Sequence, residues 1–268
     1  MNENQNKKVN IGLVILVVIL LLTYIGMGIF IFINKDNKEE KVEQNQNEKI
    51  EKPEIKDKIT ELDINDTLVE SLYKMTQSEY DKCGYPNQPL LLENIGDKLN
   101  PSNMTDDYKG KLIYDYVPTT KEISEDNMKS AYEKVFGPNT YKVMNTINFD
   151  ILGSINYDSN NKKYILTFEP GETWPCVTHL YNKEVIIKAI KNKNTIKITT
   201  AYAFNGNFSM DVYKDPNEKE PLGETVSLND ESAIPYIKEH QDKLRQLTYT
   251  FKKATDENYY YLEVERTK

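Results

Sequence analysis

Cys176-Val177-Thr178-His179 places a thiol and an imidazole three residues apart, a spacing at which a zinc site or a thiol–imidazole pair can begin. Zinc takes four protein ligands, or three and a water. The other cysteine, Cys83, lies 93 residues upstream, and the other histidine, His240, falls on a predicted surface helix. A cysteine nucleophile needs a base and a third group to orient that base, and the pattern supplies no third group. The expectation is a structural or solvated histidine, with no metal and no cofactor. Glu169 and Glu172 flank Gly171 just ahead of Trp174. Two carboxylates about 5–10 Å apart beside an aromatic ring would suit glycoside hydrolysis. Chance pairs abound among 42 acidic residues, so an exposed turn is the plainer expectation. Asp158-Ser159-Asn160-Asn161 has the opening of a calcium loop but lacks its central glycine and closing bidentate glutamate. A hairpin turn is expected there. The chain holds no G-x-S-x-G turn, no phosphate-binding G-x-x-x-x-G-K-[ST] loop and no H-E-x-x-H helix.

Cys83 and Cys176 are the only cysteines. Outside the cytoplasm two thiols often form one disulfide, and a loop of this size would stabilise the fold by about 4–5 kcal/mol on the chain-entropy account. Two free buried thiols are the alternative.

The elements that would position these residues follow from periodicity. Leu68, Val69, Leu72, Tyr73 and Thr76 recur at helical spacing and predict a helix over 66–78. Residues 81–101, with Gly84, Pro86, Pro89, Gly96 and Pro101, read as a long loop. A second helix is expected over 104–116. A third begins at Ser124, a good N-cap followed by Glu125 and Asp126, and closes at Gly137-Pro138. Ile123 and Met128 stand where a hydrophobic staple would. After Tyr141 the period changes to two. Hairpins are expected around Asp158–Asn161, around Lys191–Asn194, between 208–213 and 223–228, and around Thr255–Asn258. A helix is expected over 235–246, with Pro235 in its first turn. Helices followed by hairpin-linked strands imply an α+β fold, with the helices on one face of an antiparallel sheet. In Tyr259-Tyr260-Tyr261, alternation puts Tyr260 on one face and its neighbours on the other, so exposed Tyr259 and Tyr261 would suit contact with a sugar or peptide, but ordinary cross-strand packing is the plainer expectation.

Ahead of this domain lies an uncharged apolar run from Ile11 to Ile33. As a helix it would extend roughly 34 Å, against a bilayer core of about 30 Å. It is too long for a signal-peptide core and is followed by no small-x-small cleavage pattern. The expectation is an uncleaved transmembrane helix. Lys7 and Lys8 precede it and Lys35, Lys38 and Lys41 follow it, so positive charge nearly balances across the run. Long domains translocate largely regardless of charge, which favours residues 1–10 as a cytoplasmic tail and the bulk of the chain outside. Residues 34–59 alternate Lys with Glu or Asp and have almost no large apolar side chain, as a charged flexible linker would. The extracytoplasmic α+β domain is then 60–268. The chain is net −8. That balance argues against sequence-independent nucleic-acid binding, which requires a basic face, and against adhesion to anionic lipid heads or anionic wall polymers, although simple solubility is the plainer reading of it.

The helix ending Tyr132-Glu133-Lys134-Val135-Phe136-Gly137 resembles a group of bacterial proteins, as does the tail from Tyr249-Thr250-Phe251-Lys252-Lys253 through Asn258-Tyr259-Tyr260-Tyr261-Leu262-Glu263. That group comprises single-pass, membrane-anchored proteins of low-GC Gram-positive bacteria with no assigned activity. The resemblance implies location and architecture and supplies no chemistry. The helices-then-sheet order is also similar to cystatin-like and NTF2-like layouts, and layout does not fix function. The function expected is a non-catalytic, membrane-tethered domain that binds a partner or ligand at the cell envelope. Its membrane contact would be residues 11–33, its envelope partner is unidentified, and nucleic acid is not among its expected ligands. The alternative is a surface hydrolase using Glu169 and Glu172.

Overall fold

The computed structural model describes residues 59–78, 92, 96–149, 152–171, 181–205, 210–214, 220–228 and 231–268. The predicted membrane run, most of the charged linker, Cys83, Cys176, His179, Glu172 and Trp174 lie outside the described residues. Among the described residues, no helix is long and apolar enough to cross a membrane. The folded unit spans Lys56–Lys268.

The fold is α+β, with two antiparallel sheets. In the larger sheet the strand order is β1 (Ile59–Leu62), β7 (Tyr181–Asn192), β8 (Thr195–Asn205), β11 (Arg245–Lys253), β12 (Tyr259–Arg266) and β2 (Lys98–Leu99). The hairpin of β9 (Asp211–Tyr213) and β10 (Pro221–Thr225) extends it from the end of β8. The smaller sheet runs β3 (Glu122–Ser124), β6 (Lys163–Leu166), β5 (Ser154–Asp158) and β4 (Thr146–Asn148).

Among the described residues, three helices build one interior. Helix α1 (Thr67–Lys74) is capped by the Asp66 carboxylate, which accepts from the Leu68 amide at 2.8 Å. Helix α2 (Asp106–Tyr114) starts at Thr105, whose hydroxyl accepts from the Tyr108 amide. Helix α3 (Glu125–Phe136) starts at Ser124, and the expected staple is in place, with Ile123 and Met128 both buried. The helix stops at Gly137, whose φ of 97° suits glycine and not a residue with a Cβ. Helix α3 touches β12 of the large sheet and β3 and β6 of the small one, while α2 lies on β4. Val69, Leu72, Leu112, Ile113, Met128, Tyr132 and Val135 therefore meet Ile147, Ile155 and Tyr164 from one sheet and Ile198, Tyr249 and Phe251 from the other in one continuous core.

The fourth helix departs from expectation. It covers Ala233–Glu239, ends at His240 well short of Gln246, and packs on the opposite face of the large sheet. Strand β8 shows why. Ile196, Ile198, Tyr202 and Phe204 face α1–α3, while Ala201 and Ala203 point the other way. On that second face they meet Val185, Val212, Leu228 and the α4 residues Ala233, Tyr236 and Ile237. A strand that is apolar on both faces is buried on both, so the helices occupy two layers and not one.

Three further differences are local. Ile59, read from sequence as the last residue of the linker, belongs to β1, an edge strand that pairs with β7. Strands β2 and β3 are two and three residues long, too short for alternation to register. Two bulges shift the inward phase partway along a strand. In β7 the bulge lies between Ile186 and Lys188, so Val185 faces α4 and Ala189 faces the other core. In β12 the bulge leaves Leu262 without a partner, between Tyr261 and Glu263.

Candidate functional site

The β12 bulge determines which tyrosine is available. Tyr259 and Tyr261 are buried, with Tyr261 edge-on to Phe136 and Phe251, while Tyr260 is half-exposed. Tyr259 and Tyr261 thus pack as the plainer expectation has it, and the alternative of their exposure fails. Strict alternation would place Tyr260 with Val264, but the extra residue at Leu262 changes the phase between them.

Tyr260 walls an open groove of about 640 Å³ at the end of α3. The groove runs between the Phe136–Thr140 segment, the β11–β12 turn and Asn194 of the β7–β8 turn. The ring is held at both ends. A Cβ on Gly137 would sit 3.3 Å from its Cγ, so glycine lets the helix end come down on the ring. Its hydroxyl donates to Asp256. Burial, with this bond adding to it, raises the Tyr260 hydroxyl above its ordinary range, and the same bond lowers the Asp256 carboxyl. Lys253 pairs with Glu257 across the turn. Lys252 is exposed and makes no ion pair among the described residues. The side-chain amides of Asn139 and Asn194 and the Thr255 hydroxyl also line the groove uncommitted.

Gly137→Ala tests how the groove is built. The positive φ and the contact with Tyr260 both oppose a Cβ, so stability should fall by about 1–2 kcal/mol. The urea midpoint measures it, and the Tyr260 ring resonances should shift in the same variant.

A second cluster lies deep in the fold. The Glu184 carboxyl accepts from the Thr200 hydroxyl at 2.5 Å and the Tyr249 hydroxyl at 2.8 Å, with Tyr73 and Gln77 as further donors. Part of the side chain stays exposed, but the carboxyl group lies inward under the end of α1. Burial pushes this carboxyl above the ordinary range, and the four donors only partly offset it. A raised acid often marks a functional site. Here the surrounding groups are neutral donors directed at one carboxyl, and the arrangement ties α1 to β7, β8 and β11.

Comparison with known protein families, with curated proteins and with solved structures finds no match.

Of the residues singled out from sequence, Asp158, Glu169 and His240 are described, while Cys83, Glu172, Cys176 and His179 lie outside the described residues. Glu169 is exposed and its carboxylate accepts from Lys121 at 2.7 Å, with Lys121 also bonded to the Phe168 carbonyl. Asp158 is spent on its own turn. It accepts from the Asn160 amide, the Asn161 amide and the Asn161 side chain at 3.0, 3.3 and 2.7 Å, and the last of these bonds is the main cause that lowers its carboxyl. The calcium-loop likeness is thus a hairpin turn. His240 stacks on Tyr236 at 4.4 Å and its Nδ1 lies 3.0 Å from the Tyr236 carbonyl, at the end of α4. No group of three or more metal-binding side chains occurs among the described residues. No local signal marks Glu184, because its partners come from Tyr73, Thr200 and Tyr249, far apart in the chain.

Proposed function

We propose that this chain is a membrane-tethered binding protein of the cell envelope, with residues 11–33 as its anchor, 34–58 as a charged tether, and the Tyr260 groove as its binding site. The groove supports this reading best. It combines a fixed aromatic wall, a free lysine and several uncommitted polar side chains in one concavity, the mixture expected of a ligand site. The uncharged run and the likeness to single-pass proteins of low-GC Gram-positive bacteria support the location. An acidic chain on a charged tether stands off an anionic membrane surface, leaving the groove open to material outside.

A photoreactive residue at Thr255, at the groove, or at Asp242, beside the far end of β11, tests the whole reading in intact cells carrying the full chain. Thr255 should give discrete adducts and Asp242 none, and external protease should release the folded unit with its adducts. Equal labelling at both positions, no labelling at Thr255, or survival of the unit under protease overturns it.

A further inference from the structure

We infer that the groove recognises a carbohydrate chain bearing a carboxylate, with Tyr260 against the sugar face and Lys252 at the acid group. The inference rests on the binding reading above and names its ligand class.

Three features lead to this chemistry. The first is the wall. Tyr260 is fixed at its root by Gly137 and at its hydroxyl by Asp256. A ring held this way loses little freedom on binding, and its flat apolar face suits the C–H face of a pyranose. The second is the set of polar groups around it. Asn139 and Asn194 each offer a carboxamide with donors and an acceptor, and Thr255 offers a hydroxyl. Adjacent ring hydroxyls, each both donor and acceptor, satisfy such groups in pairs. A groove meant for an apolar peptide would leave these amides unsatisfied. The third is charge. Of the two groove lysines, Lys253 is neutralised by Glu257 and Asp256 is occupied by Tyr260. Among the described groove residues one cation, Lys252, remains, and it matches a single carboxylate. A long polyanion fits poorly, because the chain as a whole is net −8 and its acidic groups repel further negative charge that comes within the screening length. The ligand is therefore mostly neutral sugar with an isolated acid.

Leu262 and Pro138 close the lining with exposed apolar surface. The bulge that turns Leu262 outward is the same one that sets the phase of Tyr260. Bulges are common where a strand must redirect a side chain beside a site.

Three probes test the inference on the full chain in lipid nanodiscs by calorimetry. One is an oligosaccharide of neutral sugars with one uronic acid, the second is its carboxyl-reduced counterpart, and the third is a tetrapeptide with one glutamate. The acid sugar should bind at least about tenfold tighter than either of the others. Lys252→Gln should bring the acid and reduced sugars to within about twofold of each other. Tyr260→Leu should weaken both sugars at least about tenfold. Lys252 is exposed, so its variant keeps the fold, and circular dichroism checks both variants. A peptide that binds as tightly as the acid sugar overturns the inference, as does absence of sugar binding or a preference that survives Lys252→Gln. Photo-adducts at Thr255 without sugar binding overturn this inference alone and leave the binding function standing.

Discussion

Glu184→Ala should cost about 2–4 kcal/mol, because it strands the Thr200, Tyr249 and Tyr73 hydroxyls beneath α1. Glu184→Gln should cost far less at neutral pH. The amide keeps an acceptor in place and removes a charge that the site disfavours. The two variants separate bond from charge. The pH dependence gives a sharper test. Burial raises the folded-state carboxyl above its ordinary value, so the fold binds this proton more tightly than the unfolded chain does. Its contribution is therefore greatest below the ordinary glutamate range. Stability falls as pH rises from there to the raised folded value, and is level above it. This is opposite in sign to an ion-paired carboxylate. Urea midpoints of the native protein minus those of Glu184→Gln, taken from acid to neutral pH, should show that decline. A difference that is flat across the range would remove Glu184 as its source. Tyr73 and Tyr249, both pushed far up by burial and then by Glu184, stay protonated throughout and remain donors.

Gly110→Ala should destabilise the fold although it places a better helix former inside α2. Propensity alone would favour alanine by about 1 kcal/mol. The added methyl, however, would lie 2.2 Å from Ile147 Cγ2 and 2.9 Å from its Cδ1. Cγ2 branches directly from Cβ and moves only if χ1 turns, which carries Cγ1 with it, and Ile147 is buried. Overpacking of this kind costs about 1–3 kcal/mol, which outweighs the propensity gain. Ile147→Ala alone should cost about 2–5 kcal/mol through lost burial and the cavity left behind. The double variant should cost clearly less than the two single losses added together, since the alanine methyl at 110 enters the space vacated at 147. Chemical denaturation of the three variants measures the coupling, and strict additivity would mean that α2 and β4 do not press on each other here.

Much of this architecture is legible in the residues themselves. Ser124 with its acidic first turn, the Gly137-Pro138 stop and the hairpin around Lys191–Asn194 all report local physics, and local physics does not depend on the rest of the fold. What is not legible depends on partners distant in sequence. The double burial of β8 requires knowing that α4 returns to the far face. Helix α4 ends at Glu239, and the residues from Arg245 belong to β11, whose partners β8 and β12 are distant in the chain. The availability of Tyr260 depends on one unpaired residue, Leu262, and a period-two reading carried across that residue selects the wrong tyrosines. Glu184 looks like an ordinary strand glutamate until Tyr73 and Tyr249 are placed above it. Asp158 and Asn161 are close in space as well as in sequence, but their bonds close a turn, so proximity along the chain is weak grounds for a shared site.

Strand β8 contributes side chains to both interiors, the one beneath α1–α3 and the one beneath α4. Neither layer can therefore melt and leave the other intact. A break in this ribbon would empty both compartments together, so the unit should behave as one cooperative block even though its helices stand on two sides of the sheet.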